Sequence, residues 1–158
     1  MGREIERKFL VSGDGWRRGS CPTRMRQGYL FRDDAGRRHA RVRIAGERAI
    51  LTIKALVDDI TRREYEYEIP MADAVEMLET MCDAVIDKTR HVLEFGGRTW
   101  EVDEFHGANA GLVVAEVELD DPRQTVELPP WVGDEVSADP RYLNVNLARN
   151  PWLDWRDR

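Results

Sequence analysis

Within its first ten residues the chain sets Glu4, Glu6 and Lys8 at every second position, in the run Glu4-Ile5-Glu6-Arg7-Lys8-Phe9-Leu10-Val11. Alternate side chains of a strand share a face. Two carboxylates and an ammonium therefore line one surface, with Ile5 on the other. The pattern recurs as Arg41 with Arg43, Thr52 with Lys54, and Arg62 with Glu64, Glu66 and Glu68. Lys88 with Arg90, Glu101 with Asp103, and Glu116 with Glu118 follow. Guanidinium forks match phosphate oxygens. Clustered carboxylates such as Glu4, Glu6, Asp103, Glu116 and Glu118 are hard oxygen donors suited to Mg²⁺ or Mn²⁺. A polyanion gripped by cations beside a carboxylate-bound divalent metal is an arrangement for phosphoryl transfer.

Strands with one charged face form either a sheet with a wet side or a polar-lined barrel. Most alternating polar residues in antiparallel strands face water, which favours the first for any single strand. The joint pattern weakens that reading. The charged positions carry little Ser, Asn or Gln filler, and the alternate positions are often apolar: Ile5, Phe9, Val42, Ile44, Ile53, Ile69, Val102 and Val117. Buried charges are costly unless paired, metal-bound or neutralised by a ligand. An interior holding Arg41, Arg43, Lys54, Arg62, Lys88 and Arg90 beside that many carboxylates is therefore a site rather than a core. There is no Gly-rich phosphate loop, so the cations must come from strand walls.

The elements that position these residues are expected near 3–11, 24–32, 38–45, 48–56, 61–69, 84–95, 98–106 and 111–120. Asp33-Asp34-Ala35-Gly36, Ala45-Gly46-Glu47, Gly96-Gly97 and Gly107 to Gly111 punctuate them as hairpins, so neighbours are antiparallel. Pro70 opens a helix reaching Met81, with Val75, Leu78 and Met81 at helical spacing. A weaker helix near 139–149 has Asp139 as a cap and Pro140 in its first turn. Leu128-Pro129-Pro130-Trp131 predicts an extended connector. About eight antiparallel strands with few helices make the fold class mainly β (α+β), a barrel or a sandwich, and an eight-stranded barrel has room inside for packed side chains or one small ligand.

At 158 residues this is one domain, with 42% hydrophobic and 34% charged residues. The 24 basic and 30 acidic residues give a net charge of -6, which disfavours nucleic acid and anionic membranes. No apolar run reaches the ~20 residues that span a bilayer, and the charged N-terminus is no secretory signal. Cys21 and Cys82 lack metal-ligand spacing and suit a reduced, cytoplasmic setting. His39, His91 and His106 form no zinc motif.

Taken in order, these segments resemble the CYTH domain, the triphosphate tunnel metalloenzymes. Glu4-x-Glu6-x-Lys8 is similar to its N-terminal signature. Arg26-Gln27-Gly28-Tyr29-Leu30, Arg41-Val42-Arg43, Leu51-Thr52-Ile53-Lys54 and Arg62-Arg63-Glu64-Tyr65-Glu66 follow. Lys88-Thr89-Arg90, Trp100 to Phe105 and Ala115-Glu116-Val117-Glu118-Leu119 complete the family order. The resemblance covers Glu4 to about Ala148 and is closest to short bacterial inorganic triphosphatases. It implies an eight-stranded antiparallel β-barrel forming a polar tunnel with a few flanking helices, as a single domain over 1–150 with a short tail at 151–158. It implies that Lys8, Arg41, Arg43, Lys54, Lys88 and Arg90 clamp phosphates, joined by Arg62 on strand parity. Glu4, Glu6, Glu116 and Glu118 would hold metal, with Asp103 assisting, and a metal would activate the attacking water.

The resemblance also implies a Lys–Tyr dyad as general base, with Lys54 and Tyr29 at the matching positions, and neighbouring cations favour a neutral lysine. Alternatively, Lys54 only binds phosphate. Glu64 and Glu66 are expected to orient basic residues, and Arg7 and Arg63 to be surface charges. Tyr65 and Tyr67 are placed on the outside, Trp131, Trp152 and Trp155 as cover, and Trp152 to Arg158 as loosely ordered.

The implied reaction is metal-dependent hydrolysis of inorganic triphosphate to pyrophosphate and phosphate. The alternatives are an adenylyl cyclase, thiamine triphosphatase or nucleoside triphosphatase on the same scaffold, or a non-catalytic polyphosphate-binding module. The expected partner is the small triphosphate, in a monomer or homodimer.

Overall fold

A computed structural model describes residues 5–33, 37–56 and 62–157, with the side chains of 56 and 62 left aside. Alternation of polar and apolar side chains produces strands throughout. In chain order they are β1 (Glu6–Val11), β2 (Cys21–Arg32), β3 (Arg38–Ala45), β4 (Arg48–Leu56), β5 (Arg62–Glu68), β6 (Val85–Phe95), β7 (Arg98–Phe105), β8 (Val113–Glu118) and β9 (Val132–Glu135). Among the described residues two α-helices accompany them, α1 (Met71–Thr80) between β5 and β6 and α2 (Asn144–Arg149) after β9. The fold is thus mainly β and antiparallel. Among the described residues no helix is long and apolar enough to cross a membrane.

The chain divides into two compact units. In the first, Arg24–Asp87, β2, β3, β4 and β5 pair antiparallel in sequence order. Their polar face is a grid of cross-strand rows. One row is Gln27, Arg43, Ile50 and Glu68; the next is Tyr29, Arg41, Thr52 and Glu66. Val42, on the other face, is fully buried under α1 with Ala49, Ala74 and Leu78. The helix starts after Pro70, whose missing N–H costs nothing at a helix start. Its buried stripe uses Ala74 and Leu78, while Met81, expected in that stripe, is 63% exposed. Met81 is the C-terminal cap, beyond the last helical residue, Thr80. Tyr65 and Tyr67 are exposed, as is Arg63.

In the second unit, Ile5–Thr23 with Lys88–Arg158, the strand order is β6-β7-β8-β1-β9. Its apolar face buries Phe9, Trp16, Trp100, Val102, Ala115, Val117 and Trp131 as one cluster. The Trp100 ring meets Trp131 edge-on at 5.7 Å. Trp131 thus covers the sheet, the role expected of it. Strand β9 has no counterpart among the expected strands. Four residues are too few for an alternation signal, and β9 is held by pairing with β1 and by Arg7, which donates bidentately to Glu135 at 2.9 and 2.7 Å.

Asp139 caps a 3₁₀ turn at Pro140–Tyr142 by accepting from Arg141 N at 3.0 Å, and α2 follows it. The C-terminal stretch, expected to be loosely ordered, is packed. Trp155 is buried against the Tyr142 ring at 5.3 Å, and Trp152 N donates to the buried Asn109 Oδ1 at 2.8 Å.

Gly28 of β2 lies close against Leu78 of α1 and Cys82 just beyond it. A Cβ there would stand 2.7 Å from Cys82 Sγ and 3.1 Å from Leu78 Cδ2. Gly28→Ala is therefore expected to destabilise by about 1–3 kcal/mol through overpacking. A thermal melt unchanged from that of the parent would show that α1 yields instead.

Candidate functional site

In the second unit the charged positions of β1, β6, β7 and β8 share one face. Cross-strand register pairs Lys8 with Glu116, Glu116 with Glu101, and Arg90 with Asp103. Lys88, Asp103, Arg90, Lys8 and Glu116 are all buried, so this face is not wetted. Asp103 Oδ2 accepts from Lys88 Nζ at 2.5 Å and from Arg90 Nη2 at 2.8 Å, and Oδ1 accepts from Arg90 Nε at 2.8 Å. Glu116 lies 3.0 Å from Lys8 Nζ and 3.7 Å from Arg90 Nη2. Glu101 reaches Arg90 Nη1 at 2.6 Å.

These contacts decide the protonation states. Burial alone would push the Asp103 carboxyl up, but Lys88 and then Arg90 outweigh it and hold it well below the usual carboxylate range. Burial likewise opposes ionisation of Glu116, and Lys8, Arg90 and Lys88 together outweigh it, leaving it lowered. Burial disfavours the Lys8 and Arg90 cations, yet their carboxylate neighbours raise both above their ordinary values. Glu101 goes the other way. Burial raises it, Arg90 opposes, and the adjacent Glu116 and Asp103 add to the rise.

The first unit meets its cations with fewer charges. Arg41 is buried, donates from Nη2 to Thr52 Oγ1 at 3.3 Å, and lies 3.9 Å from Glu66. Its Nε is buried and has no hydrogen-bond acceptor among the described residues. Arg43 Nε donates to the fully buried Gln27 Oε1 at 2.9 Å, and Gln27 Nε2 points to the Tyr29 hydroxyl at 3.4 Å. Lys54 Nζ lies 3.4 Å from Glu64, and Thr52 Oγ1 donates to Glu66 at 3.1 Å. Glu64 and Glu66 thus orient a lysine and, through Thr52, an arginine.

Of the residues singled out from sequence, the structure gathers Lys8, Lys88, Arg90, Asp103 and Glu116 in one unit. In the other it gathers Tyr29, Arg41, Arg43 and Lys54. Glu4 and the Arg62 side chain lie outside the described residues. Glu6 and Glu118 stand directly opposite one another at the more exposed end of the β1–β8 ladder. Gln27 and Glu101 were not assigned a role from sequence. Each stands two positions from an assigned residue, Tyr29 and Asp103, so strand parity alone could have found them.

Among the described residues no three Asp, Glu, His or Cys side chains form a ready-made metal cage. The donor chemistry nevertheless fits a hard cation. Glu6 faces Glu118 and Glu101 faces Glu116 across adjacent strands. Directly opposed like charges repel, and oxygen-only sets of this kind match Mg²⁺ or Mn²⁺.

Because Asp103 and Glu116 are lowered in the folded chain, the stability they contribute is present above the unfolded carboxylate values, about 4. It is lost as pH falls through their depressed folded values. Acid unfolding followed by tryptophan fluorescence is expected below about pH 4. Asp103→Asn should cost about 3–5 kcal/mol at neutral pH, by stranding two buried cations, and should flatten the acid dependence. A variant as stable as the parent would remove Asp103 from this role.

A family model described as the CYTH domain matches residues 2–149. An inorganic triphosphatase of Acetivibrio thermocellus is 48% identical over 158 residues, covering 99% of this chain and 100% of the relative. An inorganic triphosphatase of Nitrosomonas europaea is 35% identical over 150 residues, covering 92% of this chain and 96% of that protein. The crystal structure of the inorganic triphosphatase NE1496 superposes with a TM-score of 0.69 at 33% identity, covering 94% of this chain and 95% of that one. The alternating charged strands, the register that gathers them and a match over nearly the whole length place this chain in the CYTH-domain family.

Proposed function

We propose that the chain is an enzyme that hydrolyses inorganic triphosphate to pyrophosphate and phosphate with the help of a divalent cation, Mg²⁺ or Mn²⁺. The observation that carries this reading is Arg41. Its buried guanidinium is met by a neutral hydroxyl and a distant carboxylate, and its Nε has no acceptor among the described residues. A buried donor left unmet is costly, and a phosphate oxygen satisfies it with complementary charge. Two full-length relatives named inorganic triphosphatase support the choice of substrate.

In this reading Lys8, Arg41, Arg43, Lys54, Arg62, Lys88 and Arg90 bind phosphate oxygens. Gln27 holds the Arg43 guanidinium and Thr52 that of Arg41. Asp103 anchors Lys88 and Arg90, since both its oxygens are already engaged by them. Enzymes of this family depend on divalent metals; Glu4, Glu6, Glu116 and Glu118 would hold the ion. When bound, it would neutralise phosphate charge and polarise the attacking water. Lys54 and Tyr29, on one face of the β2–β3–β4 ladder, are the base candidates. A single domain over 1–150, with 151–158 as a tail, completes the reading, and the two free thiols suit the reducing cytoplasm.

Phosphate release from inorganic triphosphate, ATP, thiamine triphosphate and pyrophosphate, each with Mg²⁺, Mn²⁺ or EDTA, tests the proposal. Release from inorganic triphosphate that EDTA abolishes is expected. Preference for an organic triphosphate would overturn the substrate, and no release from any of them would leave a binding module. Glu118→Ala should abolish metal-dependent turnover without lowering the melting temperature. Lys54→Ala and Tyr29→Phe should each lower kcat by about 10²-fold or more, with a smaller change in affinity. Unchanged kcat in both would remove them from proton transfer.

A further inference from the structure

Counting by twos from Gln27 and Tyr29 puts Phe31 on the polar face and Arg32 with Gly28 and Leu30 on the apolar one. The register places them otherwise. Tyr29 is opposite Arg41, but Phe31 is opposite Ala40 and Arg32 is opposite His39, so one residue of β2 is extra. That residue is Leu30, in a β-bulge. Leu30 packs in the cluster under α1, and Phe31 is 53% exposed in a row with Ala40, Ile53 and Tyr65. Two successive side chains therefore leave by the apolar face. Arg32 is turned to the polar face, in a row with His39, Lys54 and Glu64. His39 confirms the facing, because its ring meets that of Tyr29 edge-on at 5.6 Å.

Arg32 is half-buried, and its Nε is enclosed with no hydrogen-bond acceptor among the described residues. Arg41, one row along, has the same unmet group, whereas Arg43 gives its Nε–H to Gln27. Rows two residues apart are about 7 Å from each other. The grid thus offers two buried guanidinium donors at neighbouring rows, with Lys54 beside the outer one. Apolar packing does not explain two such groups, since each carries a desolvation penalty that only an acceptor relieves.

We propose that Arg32 is a further substrate-binding residue, re-aimed by the β-bulge so that its guanidinium donates to a phosphate oxygen. The nature of that anion, a linear inorganic phosphate chain, rests on the triphosphatase reading above. Calorimetric titration of inorganic triphosphate in EDTA, at fixed ionic strength, measures binding apart from turnover. Arg32→Gln is expected to weaken binding about tenfold, the loss of a charge-assisted hydrogen bond. Arg32→Lys should recover only part of it, because an ammonium lacks the Nε donor and the planar fork. Arg63→Gln, an exposed arginine on the same unit, should leave affinity within about twofold of the parent. If Arg32→Gln does not fold, as judged by its melt, Arg32→Lys carries the test by itself.

Wild-type affinity in the folded Arg32 variants overturns the inference while leaving hydrolysis by the parent untouched. A parent that binds triphosphate through Arg32 but releases no phosphate with Mg²⁺ keeps the inference and overturns the triphosphatase reading. A parent that does not bind triphosphate overturns both.

Discussion

Asp103 accepts three hydrogen bonds from two buried cations, and the arrangement of the second unit follows from that contact. Lys88 and Arg90 cannot be buried without a counter-charge, because desolvating an ammonium or guanidinium costs several kcal/mol. A β-sheet can supply that charge with little adjustment. Alternation puts every second residue on the same face, and antiparallel register sets Asp103 directly across from Arg90. Glu101 and Glu116, opposite each other in the neighbouring row, flank the pair, and Lys8 balances Glu116. The result is a buried mesh of fixed charge that keeps its side chains in place without a ligand. Preorganisation of that kind is what electrostatic stabilisation of a phosphoryl-transfer reaction requires.

The first unit solves the same problem differently. Its arginines are held by neutral groups: Gln27 for Arg43 and Thr52 for Arg41. Neutral partners fix a guanidinium in position while leaving some of its donors free for another acceptor. Among the described residues, buried Nε donors are left over at Arg41 and Arg32. The first unit thus differs from the second in holding buried guanidinium donors that have no acceptor among the described residues. The apolar faces are conventional by comparison. Tryptophans cover one, and α1 with its close contact at Gly28 covers part of the other.

Much of this was legible in the chain itself, because strand alternation is a local property. The period of two located eight of the strands and put Lys8, Arg41, Arg43, Lys54, Lys88, Arg90, Asp103 and Glu116 on charged faces. The same period marks Gln27 and Glu101. Glycine and proline placed the hairpins and the start of α1. The order of these segments was enough to identify the family. Three features were not legible, each for a definite reason. The four residues of β9 are ordered by their partner β1, and a strand that short has no period of its own. The C-terminal tryptophans are held by Tyr142 and Asn109, which are distant in sequence. The facing of Arg32 depends on a bulge, and a bulge is a mismatch between two strands that neither strand encodes alone. What the sequence determined by itself was the identity and spacing of the charges on each strand. Which charge neutralises which, and which donors are left for a ligand, was decided only by the cross-strand register, because ion pairing and burial arise from contacts between strands.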